Sequence, residues 1–213
     1  MTNDLRQGPR TLAAAAQMFV RQASPRILFV VSVVFLVVRA SMGRFTFADL
    51  CVIVGIFATW PVQERLFHEY LLHLRARRIL GSTLARRISA NHQMHHREPW
   101  RTDTIFIRSS GYLVILPTFL ATCLVVTRDT RLTLTGLVAF LLALSWYEWL
   151  HFLIHTPYAP QSNWYKRRWE NHRLHHFKNS RYWYGITSPL GDTLLGTRPD
   201  PANVSLKWNG PSA

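Results

Sequence analysis

The chain has 213 residues and a mass of 24.7 kDa, enough for one ordinary domain, and 48% of its residues are hydrophobic, enough for a sizeable core. A formal charge of +14 and a pI near 11.0 would suit a nucleic-acid binder only if the basic residues formed one soluble patch, and their placement argues against that. The mean hydropathy of +0.02 averages two populations, long apolar runs and segments crowded with arginine.

In chain order, residues 1–26 are expected to form a cytoplasmic N-terminal arm, in which 10–22 could lie on a membrane as an amphipathic helix. The apolar run 27–43 predicts a first membrane span, with the long stem of Arg39 snorkelling to the headgroups. A cleaved signal peptide fits less well, because 26 residues precede the run and Arg39 with Met42 makes a poor cleavage site. Runs at 45–63 and 132–150 approach the roughly 20 residues a spanning helix needs. The run at 112–127 would rise only about 24 Å against a hydrocarbon core of about 30 Å. It must borrow residues upstream, tilt, or be held by its neighbours. Cys51 and Cys123 lie inside these runs without a C-x-x-C pattern and read as small buried hydrophobes.

Polar segments at 82–97 and 163–177 predict helices outside the apolar runs, with Ser82 and Ser162 as N-caps and Pro99 ending the first. Beyond 178, Gly and Pro indicate loop with one helical turn, and 201–213 form a tail. The expected fold is all-α: an integral membrane protein of about four transmembrane helices, spanning 27–200, with a cytoplasmic helical cap. Lys and Arg number 21 in the three segments on one side of these spans and 4 in the two turns on the other, which predicts both termini in the cytoplasm. The basic excess is thus a topology signal first and a contact with anionic headgroups second. No nucleic-acid partner is expected.

All ten histidines fall into four clusters: His68 and His73; His92, His95 and His96; His151 and His155; His172, His175 and His176. The stretches NHQMHH (91–96) and NHRLHH (171–176) spell one pattern twice with unrelated sequence between them. On a helix, positions three and four apart share a face, so each H-x-x-H-H and the His151/His155 pair project imidazoles to one side. His68 and His73, five apart, differ by roughly 140° on an α-helix, so either they reach different ions or the helix distorts there. With both termini inside, all ten fall on the cytoplasmic side. Ten imidazoles suffice for two ions with four or five nitrogens each, and a buried cluster without ions would need a partner for every ring nitrogen.

Other metal motifs fit badly. HEYLLH has one residue too many for a zinc-protease H-E-x-x-H, Glu148 and His151 make a single E-x-x-H, and only 11 acidic residues exist in all. The ligand set must be nearly all nitrogen.

From about residue 65 to 197, through HEYLLH, NHQMHHREP, WYEWLHFLIH, NHRLHHFK and YGITSPLGDTLLGT, the chain resembles the membrane-bound fatty acid hydroxylase and sterol desaturase superfamily of histidine-cluster di-iron oxygenases, most of all its fatty acid hydroxylase branch. It departs at Gly191, where many relatives carry Trp before the Asp. The resemblance implies two iron ions on the ten histidines, with zinc a substitute in purified protein. It also implies hydroxylation of a lipid C–H bond, a fatty acyl chain foremost, with dioxygen and with electrons from a separate haem or iron–sulfur carrier. No catalytic side chain beyond the ligands is required.

Behind the ligands, Glu148, Asp192, Asn91 and Asn171 are expected to orient the rings. Trp146, Tyr147, Trp183 and Tyr184 are expected to border a lipid entrance or to anchor at the membrane interface. A bacterial inner membrane is favoured over the endoplasmic reticulum. Alternatives on the same scaffold are desaturation and ring hydroxylation of a sterol or carotenoid; those of another class are a zinc hydrolase and a metal transporter. A transporter places ionisable ligands inside its spans, and the first and third spans hold no His, Asp or Glu.

Overall fold

The computed structural model describes residues 4–73 and 83–207, and among these every regular element is helical. Helix α1 covers Leu12–Phe19, α2 Ala23–Ser41, α3 Phe47–Phe67, α4 Thr83–Arg97, α5 Thr102–Ile105, α6 Ser109–Thr127, α7 Thr130–Ile154, α8 Asn163–Phe177 and α9 Leu190–Leu194. Four segments are long and apolar enough to cross a membrane: Ala23–Ser41, Phe47–Leu72, Thr102–Thr127 and Thr130–Ile154. These are the four predicted spans, three of them longer than their apolar cores suggest. The short third run does borrow upstream: α6 starts at Ser109, and its 19 residues rise about 28 Å.

Helix α7 is the axle of the bundle. Most of it is buried, whereas α2, α3 and α6 pack around it and leave most of their own surface outside. That outer surface is apolar: Phe29, Val34, Val37, Phe47, Phe57, Leu113 and Val125 are all exposed. Such a belt costs free energy in water and none in lipid. Cys51 belongs to it. The expectation of two buried thiols therefore holds only for Cys123, because Cys51 sits on the outer face of α3.

Arg39 does not snorkel. Its guanidinium is fully buried, donating to Asp49 Oδ1 at 2.6 Å, Thr135 Oγ1 at 2.9 Å and the Gly43 carbonyl at 3.1 Å. Asp49 also closes the capping box of α3 with Thr46, so one carboxyl locks the start of α3 to α2 and α7. A buried pair this fully bonded is held by partners that water would otherwise replace.

Ser162 caps α8 as expected, accepting from the Tyr165 amide at 3.2 Å, while Ser82 lies outside the described residues. The N-terminal segment is tied down: Leu5 is fully buried and donates its amide to the Trp100 carbonyl at 2.7 Å, and Phe19 packs on Phe106, Trp149 and Phe152. Helices α4 and α8 sit across the ends of α3 and α7, and the loop 178–189 with α9 returns to pack on α3. That return is close. A Cβ on Gly191 would lie 2.1 Å from the Pro61 carbonyl oxygen, so no side chain fits where many relatives have Trp.

Candidate metal centre

The site begins where α3 stops being α-helical. His68–Leu72 form a π-helical turn, closed by the His73 amide donating to the His68 carbonyl at 3.1 Å. Such a turn adds one residue per revolution and brings positions five apart onto one face. The helix therefore distorts, and both rings enter the same group, with centroids 5.1 Å apart.

The ten histidines form two groups of five, each with its ligand nitrogens within 4.8 Å of one another: His68, His73, His92, His96 and His175, and His95, His151, His155, His172 and His176. The division follows helical geometry. His92 and His96, four apart, differ by about 40° around α4, whereas His95 stands about 100° from His96 and points to the other group. His172 and His176 on α8 likewise stay together while His175 crosses over. The first half of the chain thus owns four nitrogens of one group and lends one to the other, and the second half does the reverse. The repeated motif makes a reciprocal exchange, each copy giving two nitrogens to one group and one to the other. His96 and His176 stack at 4.2 Å between centroids where the groups meet.

The donor set fits a cation. The Nε2 atoms of His73, His92 and His96 are mutually 3.1–3.2 Å apart, and His175 Nε2 lies 3.0 Å from that of His73 and 3.2 Å from that of His96. A neutral imidazole has one N–H, so three rings converging nitrogen to nitrogen cannot all be satisfied by hydrogen bonds. Nitrogens at right angles around an ion at about 2.1 Å would lie about 3.0 Å apart. His176 Nε2 is buried with no hydrogen-bond partner among the described residues.

Burial drives His73, His92, His95, His96, His155, His172 and His176 well below the ordinary histidine pKa, and takes His175 down to about 4. The rings are neutral at pH 7, as ligands must be.

Backbone carbonyls aim these rings. His68 Nδ1 donates to the Tyr184 carbonyl at 2.7 Å, His175 Nδ1 to the Tyr182 carbonyl at 2.8 Å, and His151 and His155 bond the backbone of Ile105 and Pro99. Nδ1–H on the carbonyl leaves Nε2 bare toward the group. Between Tyr182 and Tyr184 the backbone turns through Trp183, a non-glycine residue at φ 57°. That conformation costs on the order of 1–3 kcal/mol and sets two carbonyls toward two rings.

The four residues expected behind the ligands bond no ring directly among the described contacts; they hold the loops that supply the carbonyls. Asn171 Nδ2 donates to the Gly185 carbonyl at 2.8 Å, and Asp192 accepts the Tyr184 and Gly185 amides at 3.0 and 2.7 Å. Asn91 Nδ2 donates to the Thr104 carbonyl at 3.3 Å, and Glu148 accepts the Ile107 amide at 3.0 Å with Ser24 and Tyr112. The two motif asparagines are thus equivalents, each tying its helix to its own carbonyl loop. Sequence reasoning missed Glu64, which accepts the Ile186 and Thr187 amides and the Thr187 hydroxyl. Its signal was available: Glu64 stands one turn before His68, as Glu148 does before His151.

Of the four aromatics, only Tyr147 and Tyr184 reach the centre. Tyr184 packs on His68, His73 and His175, and Tyr147 lines two small apolar cavities beside the groups. Trp146 is exposed beside Trp164, while Trp183 is buried with its indole N–H on the Pro199 carbonyl at 3.2 Å. The first cavity, about 30 Å³, has His68, Phe67, Leu72, Ile107 and Leu144 in its wall; the second, about 20 Å³, has His92 and His151.

The fatty acid hydroxylase family model matches residues 52–197, which hold both groups and their loops. The chain belongs to the fatty acid hydroxylase family. Two relatives of this hydroxylase are dihydroceramide fatty acyl 2-hydroxylases of Arabidopsis thaliana. FAH2 is 27% identical over 178 residues, covering 83% of this chain and 73% of the relative; FAH1 is 27% identical over 151 residues, covering 70% and 60%. A solved structure of full-length Scs7p, with only its hydroxylase domain visible, superposes with a TM-score of 0.71 at 22% identity over 86% of this chain and 68% of that one, and shows the same fold.

Proposed function

We propose that this hydroxylase binds two iron ions, one in each five-nitrogen group, and uses dioxygen to hydroxylate a fatty acyl chain of a membrane lipid, with electrons from a separate haem or iron–sulfur protein. The observation that carries this reading is the pair of buried, nitrogen-only nests whose Nε2 atoms converge at 3.0–3.2 Å, where neutral rings have too few N–H groups to satisfy every contact by hydrogen bonds. Iron bound there would supply dioxygen activation and removal of hydrogen from an unactivated C–H bond.

The remaining tasks fall to the chain. The carbonyls of Tyr182 and Tyr184 fix the tautomers of His175 and His68, and the backbone at Ile105 and Pro99 bonds His151 and His155. Glu64, Glu148 and Asp192 stand behind those loops, accepting their backbone amides and so holding the carbonyls in place without occupying a ligand position. Phe67, Leu72, Ile107 and Leu144 exclude water beside His68, and an apolar cavity is what a carbon chain needs there. The relatives' names support carbon two of an acyl amide as the position hydroxylated.

The lysine and arginine bias favours the cytoplasmic side for the nests and both termini. The plant origin of both relatives lends no support to a bacterial inner membrane over the endoplasmic reticulum.

Lipids from cells expressing the chain should gain one oxygen on an acyl group, and the His96→Ala and His176→Ala variants should abolish this and lose metal. A product lighter by two hydrogens would make the enzyme a desaturase. Activity indifferent to dioxygen with zinc in the nests would make it a hydrolase, and full metal occupancy in both variants would remove the basis of the proposal.

A further inference from the structure

A groove of about 730 Å³ runs between α3 and α6, well outside the nests, lined by Val52, Gly55, Ile56, Phe119 and Val126 at one end and by Phe67, Tyr70 and Leu71 at the other. Its volume lies within the roughly 300–1,000 Å³ of ligand pockets, and its wall is almost wholly apolar. It is not isolated from the centre. Phe67, Leu71 and Ile115 are shared between this groove and the cavity beside His68, and Leu72, Ile107 and Tyr147 are shared between that cavity and the one beside His92 and His151. Three spaces in series, each sharing a wall with the next, line up from membrane depth toward both nests.

Gly55 stands at the far end. A glycine inside a spanning helix costs about 1 kcal/mol relative to alanine, and close packing is the usual compensation. Here a Cβ would meet nothing within 4 Å, so no neighbouring helix needs the space. The contrast is Gly136, where a Cβ would press on Cys123 Sγ at 3.2 Å and Val52 Cγ1 at 3.3 Å. Gly55 keeps open a groove that the protein's own side chains do not fill.

We infer that the substrate's acyl chain enters sideways from the bilayer between α3 and α6, with its methyl end at Gly55 and its carbonyl end passing Phe67, Leu71 and Ile115 toward Tyr147, so that Gly55 limits the chain length accepted. Twelve residues of α-helix, about 18 Å, separate Gly55 from Phe67, a span suited to an extended hydrocarbon tail. The inference rests on the acyl hydroxylase reading for the identity of the chain, while the groove and its shared walls stand on geometry alone.

The test uses the full chain in membranes and two readouts. First, saturated acyl substrates stepped by two carbons are supplied to the wild type, Gly55→Phe and, as a control on the outer face of α2, Val34→Phe. Gly55→Phe should cut the ratio of long-chain to short-chain product by about tenfold or more, the scale of losing a methylene-sized contact in a pocket, with metal content unchanged. Val34→Phe should leave the ratio alone. An unaltered ratio in Gly55→Phe overturns the inference.

Second, fatty acids carrying a diazirine near the methyl end are photolysed and the labelled peptides mapped. Labelling should concentrate on 52–56 and 119–126, be competed by unlabelled fatty acid, and be blocked by Gly55→Phe. Labelling spread equally over α2 shows a groove filled by bulk lipid and overturns the inference. Competed labelling in the groove without any hydroxylated product would leave the binding path standing and remove the acyl hydroxylase reading instead.

Discussion

Replacing Glu64 with alanine would leave two buried amides and a buried hydroxyl without their acceptor. Each orphaned group costs about 1–3 kcal/mol, so Glu64→Ala should lower stability by several kcal/mol, with Glu64→Gln losing less. Metal affinity should fall with it, about 10–100-fold, because the Tyr184 carbonyl that aims His68 rides on the loop Glu64 anchors. Thermal melts and metal analysis of detergent-purified variants would check both, and a Glu64→Ala protein with normal melting and two ions would refute the role. Gly191→Ala should be worse than its size suggests, since the added carbon meets backbone at 2.1 Å and α9 must lift from α3. A loss of about 1–3 kcal/mol, read by denaturant or heat, is the expectation for such overpacking. At this scale the convergence of the histidines was legible and the groups that aim them were not. A histidine announces its chemistry by type and spacing, whereas the groups that aim it are carbonyls, which every residue carries. Glu148 and Asn171 could be nominated because they neighbour the motifs, but what they bond depends on loops brought back from 14 residues away for Asn171 and from across the bundle for Glu148.

The π-helical turn makes the first nest possible, because it brings His73 round to His68 while α3 is still within its span. One alanine inserted between Leu71 and Leu72 should swing His73 by about 100° and reduce bound metal from two ions to at most one, with activity lost. An insertion that keeps both ions would show that the turn can absorb the change. Helix existence was readable from apolar runs and polar motif segments, and α8 begins and ends at 163 and 177 as its cap and composition require. Span boundaries were less so. Apolarity marks the stretch that lipid requires, but α3 continues beyond its run to Glu64 and into the turn that carries His68, and α7 continues past its run to His151, polar residues satisfied only by tertiary partners. The burial of Arg39 was illegible for the same reason: Thr135 and Asp49 come from other helices.

For the molecule as a whole, acidity sets a measurable limit. Seven of these histidines lie well below the ordinary range and His175 near 4 when folded, whereas in the unfolded chain all titrate near about 6.5. Between about 6.5 and about 4 the unfolded chain therefore binds more protons, so stability is full above that window and falls as pH drops through it. Melting temperatures of metal-free protein in detergent should be flat above about pH 6.5 and decline below, and a melting point rising on acidification would contradict the buried, neutral nests. The all-helical membrane architecture was readable from composition and periodicity together. The lateral groove was not, since it is empty space between helices distant in sequence.

The lending of His95 and His175 across the two nests bears on how metal arrives. Whichever ion landed first would draw on both α4 and α8, and in doing so would hold in place most of the nitrogens awaiting the second. Loading should then be steep and nearly all-or-none: native mass spectra taken during a ferrous titration should show chains with two ions beside chains with none, and few with one.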